Sequence, residues 1–200
     1  MLPLNLPNVL TVVRILLVPV LVVALLGETK DGDLLAAIVF AAASATDAID
    51  GYIARARNSI TTFGKLMDPI ADKLLVVAAL FALVSLHRLE AWIAMVIVTR
   101  ELAVTATRMA ATAQGVVVPA AGWGKVKTMV QVAAIFFLIA YDPTPLWVDL
   151  LTYVAVAVTV ISGVDYFFGL RRMLREAEER RRHGSAAGRT PPGASGDHAA

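Results

Sequence analysis

The sequence predicts an all-α integral membrane protein with six transmembrane helices. Hydrophobic residues make up 58% of its 200 residues and charged residues only 17%, a more apolar balance than soluble domains show. The apolar residues also form continuous blocks, several of them close to the ~20 residues that cross a hydrocarbon core. Because a backbone inside the bilayer must satisfy its own hydrogen bonds, such blocks indicate helices rather than the shorter, alternating strands of a barrel.

Short polar, glycine-containing or proline-containing breaks separate the predicted helices. These helices cover residues 9–27, 34–56, 65–86, 90–113, 120–140 and 146–170. Arg14 lies inside the first apolar block, and the sequence Gly-Glu-Thr-Lys follows that block. A cleaved signal peptide would have its positive charge before the block and small residues after it, so we expect this helix to be retained.

Charges between the helices predict the orientation of the chain. The junctions after the first, third and fifth helices contain only Lys30 and Arg88 as cations, together with several carboxylates. Most other lysines and arginines lie on the opposite side. By the positive-inside rule both termini are cytoplasmic, in a multi-pass protein of the cell (inner, cytoplasmic) membrane.

Composition divides the chain into three regions. Residues 1–8 contain two prolines and are expected to lie along the membrane interface. The six helices form one domain over residues 9–172. Residues 173–200 are predicted to form a basic, largely disordered cytoplasmic tail, in which the charged residues 176–182 could form a helical extension and residues 184–200, rich in Gly, Ala, Ser and Pro, are expected to be disordered.

Four aspartates interrupt the second and third blocks: Asp47, Asp50, Asp68 and Asp72. One carboxylate at the centre of a spanning helix costs roughly 2.5–3.5 kcal/mol, so four require compensation. Spacings of three and four residues place each pair on one helix face, and a short turn makes the two helices antiparallel neighbours. Two divalent cations would balance the four charges, and oxygen ligands favour Mg²⁺ or Mn²⁺ over zinc.

Two alternative hypotheses account for the aspartates. They could form ion pairs with Arg55, Lys65 or Lys73, which lie near them in sequence. They could instead line the path of a divalent-cation transporter, but such a path needs polar groups through the whole membrane. The outer halves of the second and third helices are purely apolar, which argues against a transporter. The absence of cysteine excludes thiolate metal sites and thiol nucleophiles.

The aspartates belong to a longer motif. From Asp47 the chain reads D-A-I-D-G-Y-I-A-R, and after eight residues it reads G-K-L-M-D-P-I-A-D from Gly64. This pattern, D-x2-D-G-x2-A-R-x8-G-x3-D-x3-D, resembles the CDP-alcohol phosphotransferase family at every fixed position. The six predicted helices also correspond to that family's core, so the resemblance extends over residues 5–172.

The resemblance implies the CDP-alcohol phosphotransferase fold, with an active-site cavity that faces the cytoplasm. It implies a CDP-linked lipid as donor and two metal ions that link the four aspartates to the pyrophosphate. An alcohol oxygen would attack the lipid-side phosphorus, CMP would leave, and Asp72 would accept the alcohol proton as general base. The family is also expected to form homodimers, and nothing in the sequence indicates a nucleic-acid partner.

The other motif residues have physical roles in nucleotide binding. The expected CDP-binding residues are Asp50, Gly51, Ala54, Arg55 and Gly64. Gly51 and Ala54 are small enough for a nucleotide to approach the helix backbone, and Gly64 would let the turn between the second and third helices bend and allow the same approach from the third. Arg55 can hold a phosphate oxygen. Helix packing between small residues is the alternative explanation for Gly51.

The second half of the chain carries a cationic group. It contains T-R-E from Thr99, then Arg108, then G-K-V-K-T from Gly124 and finally Gln131. Four cations are expected to bind the phosphate of an anionic acceptor: Arg100, Arg108, Lys125 and Lys127. Anchoring at the membrane surface is the alternative, but Arg100 and Arg108 lie well inside an apolar block, where an anchor would be costly.

This cationic pattern, together with Pro7-Asn8, Thr11 and Arg14, resembles the bacterial phosphatidylglycerolphosphate synthases. The resemblance implies that CDP-diacylglycerol and sn-glycerol 3-phosphate give phosphatidylglycerol phosphate and CMP, in phospholipid biosynthesis. Inositol phosphate and phosphatidylglycerol are the alternative acceptors. The cations would also suit inositol phosphate, whereas a lipid acceptor would leave them harder to explain.

Overall fold

The computed structural model describes residues 6–27, 31–57, 62–113 and 122–187. Within these ranges, side chains are described except at residues 6–8, 47–57, 62–72, 113, 122–123, 174 and 176–187. The described chain folds into six α-helices, which confirms the predicted all-α class. They are α1 Leu6–Leu26, α2 Gly32–Arg57, α3 Thr62–Ser85, α4 Ala91–Ala113, α5 Gly122–Ala140 and α6 Leu146–Ala187.

The helix boundaries depart from the prediction in two places. α3 begins at Thr62, so Gly64 lies within the helix and not in the turn where it was expected. α6 continues to Ala187, so it includes the possible helical extension over residues 176–182 and also residues 184–187, which were expected to be disordered. Glutamates there precede arginines by four residues, as Glu176 precedes Arg180, and this spacing favours a helix. Residues 188–200 lie outside the described chain.

The main hydrophobic core among the described side chains lies toward one end of the bundle. α1 packs against α2 and α3, α5 packs against α2 and α6, and α4 packs against α3 and α6. The core draws on the second halves of α1, α3 and α5 and the first halves of α2 and α4, with Phe40, Leu83 and Ile139 fully buried. A separate cluster of Val104, Ala111, Tyr166 and Leu170 joins α4 to α6 toward the other end.

Three chain segments meet around Arg88 at the end of the bundle beside this core. The Arg88 guanidinium donates two hydrogen bonds of 2.9 Å to the two carboxylate oxygens of Asp33, and one of 2.8 Å to Asp142. This Arg88 cluster (Arg88, Asp33 and Asp142) joins the start of α2, the α3–α4 link and the α5–α6 link. The three segments therefore lie at one end of the bundle, and α2 and α3 run antiparallel.

The α3–α4 link turns through a left-handed residue. His87 has φ 58°, and its N–H donates to the carbonyl of Val84 at 3.1 Å. The N–H of Arg88 donates to the carbonyl of Leu83 at 3.0 Å. These two hydrogen bonds close the end of α3 as a Schellman motif, with His87 at the position that glycine usually occupies. The turn directs Arg88 toward its carboxylate partners.

Two described helices are long and apolar enough to cross a membrane, judged by length and composition. They contain the stretches Val9–Leu26 and Leu146–Met173, and shorter apolar stretches cover Gly32–Thr46 and Lys73–Ser85. Charged residues such as Arg100 and Glu101 interrupt the apolar sequence of α4. Large apolar side chains also cover the outside of the bundle, with Val23 and Met129 at least 70% exposed. So extensive an apolar surface suits contact with lipid rather than water.

Candidate active site

The four predicted metal-binding aspartates lie on α2 and α3, and their side chains are outside the described set. Asp47 precedes the last residue of α2 by ten positions, and Asp72 follows the first residue of α3 by ten. At 1.5 Å per residue both lie about 15 Å from those helix ends. Because α2 and α3 are antiparallel, this register places the two aspartates at similar depth. Asp50 and Asp68 lie one turn closer to the same helix ends.

The residues present offer suitable donors for Mg²⁺ or Mn²⁺. Four carboxylates on two antiparallel helices supply oxygen ligands only, which are the ligands these ions prefer. Among the side chains that the structure describes, no group of three or more His, Asp or Glu residues could hold a metal ion elsewhere. The CDP-binding candidates of α2 (Gly51, Ala54 and Arg55) are helical, and their side chains are also outside the described set.

A buried carboxylate next to the aspartate motif forms ion pairs with three cations. Glu101 is 5% exposed and accepts hydrogen bonds from Arg100 at 3.0 Å and from Lys127. Its second oxygen lies 3.1 Å from the ammonium nitrogen of Lys73. The Glu101 cluster (Lys73, Arg100, Glu101 and Lys127) therefore joins α3, α4 and α5 at one point. Since Lys73 directly follows Asp72, the cluster connects the aspartate motif to the cationic half of the chain.

Pairing explains why these charges are tolerated in the interior. Lys127 is 3% exposed, and an isolated charge at such a position would be strongly destabilising. A shared carboxylate offsets the desolvation, and the fork of Arg100 adds a directed hydrogen bond. Lys127 was expected to bind the acceptor phosphate; in the structure it pairs with Glu101 instead of facing solvent. Its role as a phosphate ligand stays a prediction.

Arg100 also contacts α6, a helix to which the sequence assigned no site residue. One terminal nitrogen of its guanidinium donates to the hydroxyl of Ser162 at 3.1 Å. The Ser162 hydroxyl donates in turn to the carbonyl of Thr159 at 3.0 Å. Arg100 is thus held from both sides, by Glu101 on its own helix and by Ser162 on α6.

Arg108 lies two turns beyond Arg100 on α4. Its side chain is exposed, and the guanidinium carbon is 5.7 Å from the centre of the Tyr166 ring. A guanidinium over an aromatic face is attracted by the ring electrons, and this contact limits its rotation. Of the four predicted acceptor cations, the structure brings Arg100 and Lys127 together. It leaves Arg108 and Lys125 exposed, and eight residues separate Arg108 from Arg100, or about 12 Å along the helix.

Other polar residues of the cationic pattern are buried. Gln131 lies one turn after Lys127 on α5 and is 3% exposed. Its side-chain carbonyl oxygen is buried and has no hydrogen-bond partner among the described groups. Thr11 and Arg14, the α1 members of the pattern, are 3% and 2% exposed. Their burial shows that both polar side chains face the interior of the bundle.

Sequence reasoning missed Glu101 and the α6 residues as members of the site. Glu101 stood inside the T-R-E triplet without a role of its own. Thr159, Ser162 and Tyr166 follow one another at spacings of three and four, so they share one helix face within an apolar helix. This shared polar face was the feature of the sequence from which these residues could have been identified. It did not reveal that the face would meet Arg100 and Arg108.

A cavity among the described residues lies apart from the Glu101 cluster. It measures about 740 Å³ and lies between the first half of α2 and the end of α5, lined by residues including Leu34, Ile38 and Phe136. The charged residues among its described lining are Asp31 and Asp33, which repel rather than bind a phosphate. The cation-rich chemistry is therefore at the Glu101 cluster and not in this cavity.

A helical bundle with a large apolar surface, an aspartate motif on α2 and α3 and a buried cationic cluster is typical of membrane-associated enzymes that handle phosphate groups. Residues 4–161 match the model of the CDP-alcohol phosphatidyltransferase family. The chain belongs to this family. The resemblance predicted from the aspartate motif is thereby confirmed.

Several named relatives are similar over most of their length. A CDP-diacylglycerol–glycerol-3-phosphate 3-phosphatidyltransferase of Bacillus subtilis is 43% identical, over 82% of this chain and 93% of the relative. A probable phosphatidylglycerophosphate synthase of Mycobacterium tuberculosis is 42% identical, over 86% of this chain and 83% of the relative. A Rickettsia felis protein with the same name as the Bacillus enzyme is 36% identical, over 82% and 93%. These names agree with the acceptor predicted from the cationic half.

Proposed function

We propose that the protein transfers the phosphatidyl group of CDP-diacylglycerol to sn-glycerol 3-phosphate. The products are phosphatidylglycerol phosphate and CMP. The observation that carries the proposal is the 3.1 Å ion pair between Lys73 and Glu101. It holds the helix of the aspartate motif next to the helix that carries the acceptor arginines. A transfer between two phosphate-containing substrates requires their binding residues to lie close together in this way. The names of the relatives support the same reaction.

The donor half of the proposed site is the aspartate motif. Asp47, Asp50, Asp68 and Asp72 would hold two divalent ions, Mg²⁺ or Mn²⁺, which neutralise charge on the pyrophosphate when bound. Gly51, Ala54 and Gly64 would let the nucleotide approach the helices, and Arg55 would hold a phosphate oxygen. Asp72 would accept the proton of the attacking hydroxyl as its oxygen bonds to the lipid-side phosphorus. The bond between that phosphorus and the CMP oxygen then breaks.

The acceptor half is the cationic group of α4 and α5. Arg100 is held with its terminal nitrogens on Glu101 and Ser162, and Arg108 is exposed two turns further along α4. Two guanidiniums whose rotation is restricted lose less freedom when they bind a phosphate than free side chains would. Lys125 is exposed and adds positive charge, while Lys127 reaches the same region through Glu101. The proposed acceptor phosphate therefore binds to a partly ordered site.

The proposed topology has six membrane spans, both termini and the catalytic cavity on the cytoplasmic side, and residence in the cell (inner) membrane. The exposed apolar side chains and the position of the Arg88 cluster at one end of the bundle support it. Residues 1–8 would lie along the interface, residues 9–172 would form the catalytic domain, and residues 173–200 would form a basic cytoplasmic tail. A homodimer is proposed from the family alone.

The test is CMP release by the purified protein with CDP-diacylglycerol and Mg²⁺, with each candidate acceptor added separately. Release that depends on sn-glycerol 3-phosphate supports the proposal. Release only with inositol phosphate or phosphatidylglycerol would keep the chemistry and overturn the acceptor. Transport of divalent cations into vesicles without CMP release would overturn the enzymatic assignment. Chelation of divalent ions should stop release, and added Mg²⁺ or Mn²⁺ should restore it.

The base is tested by Asp72→Asn in the same assay. The amide cannot accept the proton, so we expect turnover to be abolished while binding of the CDP-lipid is largely retained. Binding can be followed with radiolabelled CDP-diacylglycerol in detergent. Normal turnover by this variant would remove Asp72 from the role of base.

A further inference from the structure

We infer that α6 forms a third wall of the acceptor site, in which Gly163, Ser162 and Tyr166 position the two acceptor arginines. The inference rests on the proposed function and extends it to a helix without any assigned role. These three residues are positioning residues: they act on the acceptor through Arg100 and Arg108.

The first step is the contact between α6 and the stem of Arg100. A Cβ atom added at Gly163 would lie 3.2 Å from Cγ of Arg100 and 3.8 Å from its Nε. The shorter distance is tighter than ordinary van der Waals contact, so the side chain of Arg100 occupies the space that any larger residue would take. Gly163 therefore sets how closely the arginine can approach α6.

The second step is the hydrogen bond next to this contact. Ser162 accepts a hydrogen bond of 3.1 Å from the Arg100 guanidinium, and Ser162 itself is 3% exposed. The stem of Arg100 is fixed by Gly163, and its head is fixed by Ser162 and by Glu101. An arginine held at three points presents its remaining donors in one direction, which suits recognition of a phosphate.

The third step is the contact between α6 and Arg108, the second acceptor arginine. Tyr166, 6% exposed, lies one turn after Ser162 on the same face of α6 and places its ring under the Arg108 guanidinium. The Tyr166 hydroxyl is buried without a hydrogen-bond partner among the described groups. An apolar residue would pack a helix inside the bilayer equally well, whereas a tyrosine ring attracts a guanidinium. One face of α6 thus contacts both acceptor arginines.

The experiment compares two glycine-to-alanine variants on α6. Gly163→Ala pushes on Arg100, whereas nothing lies within 4 Å of a Cβ added at Gly169. Both substitutions change the helical propensity of α6 in the same way, so their difference isolates the displacement of Arg100. CMP release is measured for both variants and the wild type, with KM determined separately for CDP-diacylglycerol and for the acceptor that supports release by the wild type.

We expect Gly163→Ala to raise the acceptor KM roughly three- to tenfold and leave the donor KM unchanged. Gly169→Ala should match the wild type in both. A Gly163→Ala variant with an unchanged acceptor KM, or with equal increases in both KM values, would overturn the inference. Wild-type release with a different acceptor would overturn the proposed substrate but leave this comparison valid.

Two milder variants keep the inference testable if Gly163→Ala does not fold. Ser162→Ala removes one hydrogen bond from Arg100, and Tyr166→Leu removes the ring under Arg108. Each should raise the acceptor KM alone, and Tyr166→Phe should behave like the wild type because it keeps the ring. Acceptor KM values that are unaffected by both Ser162→Ala and Tyr166→Leu would show that α6 does not position the arginines.

Discussion

The Arg88 cluster and the Glu101 cluster are opposite arrangements of the same chemistry. In the first, one guanidinium joins two carboxylates at the end of the bundle, and Asp142 is 54% exposed. In the second, one carboxylate joins three cations in the interior, where the side chains of Glu101 and Lys127 are 6% and 4% exposed. Both clusters connect three segments of the chain. They differ in the sign of the central charge and in access to water.

This difference separates a structural role from a functional one. Burial lowers the pKa of Arg88, but the hydrogen bonds and negative charges of Asp33 and Asp142 outweigh it and raise that pKa above its ordinary value. A cation with a raised pKa stabilises the fold fully at neutral pH, and the contribution is lost only at strongly alkaline pH. The Arg88 cluster therefore holds its three chain segments together from neutral pH up to the strongly alkaline range. The Glu101 cluster places Arg100 and Lys127 on one shared carboxylate, an arrangement that can attract an anion.

The comparison predicts the largest effect for Glu101→Gln. The variant keeps the shape of the side chain but leaves buried cations without their shared counter-charge, so we expect a loss of about 3 kcal/mol in the free energy of unfolding. CMP release should fall at least in proportion to the loss of folded protein. Chemical denaturation in detergent measures the free energy of unfolding, and the CMP-release assay measures the activity.

The double variant Glu101→Gln with Lys127→Met is its control. Removing one cation together with the carboxylate should restore part of the stability, because fewer buried charges remain unpaired. Acceptor-dependent CMP release should stay low. Wild-type activity in the double variant would mean that the Glu101 cluster serves only to hold the helices together.

A smaller effect, confined to acceptor binding, is predicted for Arg108→Ala. Arg108 is exposed and lies outside both clusters, so its loss should leave stability nearly unchanged. Loss of one charge-assisted contact to the acceptor phosphate should raise the acceptor KM about tenfold. The measurement is the KM for each substrate in the CMP-release assay. An effect on CDP-diacylglycerol alone would exclude Arg108 from the acceptor site.

In the Arg88 cluster, Arg88→Lys should lower stability and leave substrate binding unchanged, the reverse of Arg108→Ala. Lysine keeps the charge but loses the two-pronged contact with Asp33, so we expect a decrease of about 1 kcal/mol in the free energy of unfolding. Both KM values and kcat should equal those of the wild type at a temperature where the variant is folded. A fall in kcat without a change in stability would contradict the structural role of this cluster.

The smallest effect is predicted at the turn that presents Arg88. His87 has a left-handed backbone conformation, which is unfavourable for a residue with a side chain, and glycine adopts it freely. The greater freedom of glycine in the unfolded chain opposes this gain, so His87→Gly should stabilise the protein by only about 0.5 kcal/mol. A melting curve in detergent measures the change. A lower melting temperature would mean that the His87 side chain makes a stabilising contact.

Much of the fold was predictable because long apolar blocks and the breaks between them indicate helices and their order along the chain. The six helices were predicted with the correct order, and the departures have local causes. Gly64 was assigned to a turn because glycine often interrupts helices, yet α3 begins before it. Residues 184–187 were expected to be disordered on composition, but α6 continues through them from a charged extension whose glutamate and arginine spacing favours a helix.

The site was predictable only where several residues share a motif with fixed spacing. The aspartate motif identified the family, and T-R-E with the later cations indicated the acceptor. The partners of those cations depend on which helix faces pack together, and a single sequence does not contain that information. Lys127 therefore could not be recognised as a partner of Glu101, nor Ser162 as a partner of Arg100.

The cluster between α4 and α6 has a consequence for how the site responds to substitutions away from it. Val104, Ala111, Tyr166 and Leu170 pack together there, and the Tyr166 ring also lies 5.7 Å from the guanidinium carbon of Arg108. The same tyrosine therefore packs two helices together and orients the arginine. Because closely packed interiors transmit strain, a change of volume at Val104 or Leu170 would displace the Tyr166 ring and move Arg108 with it.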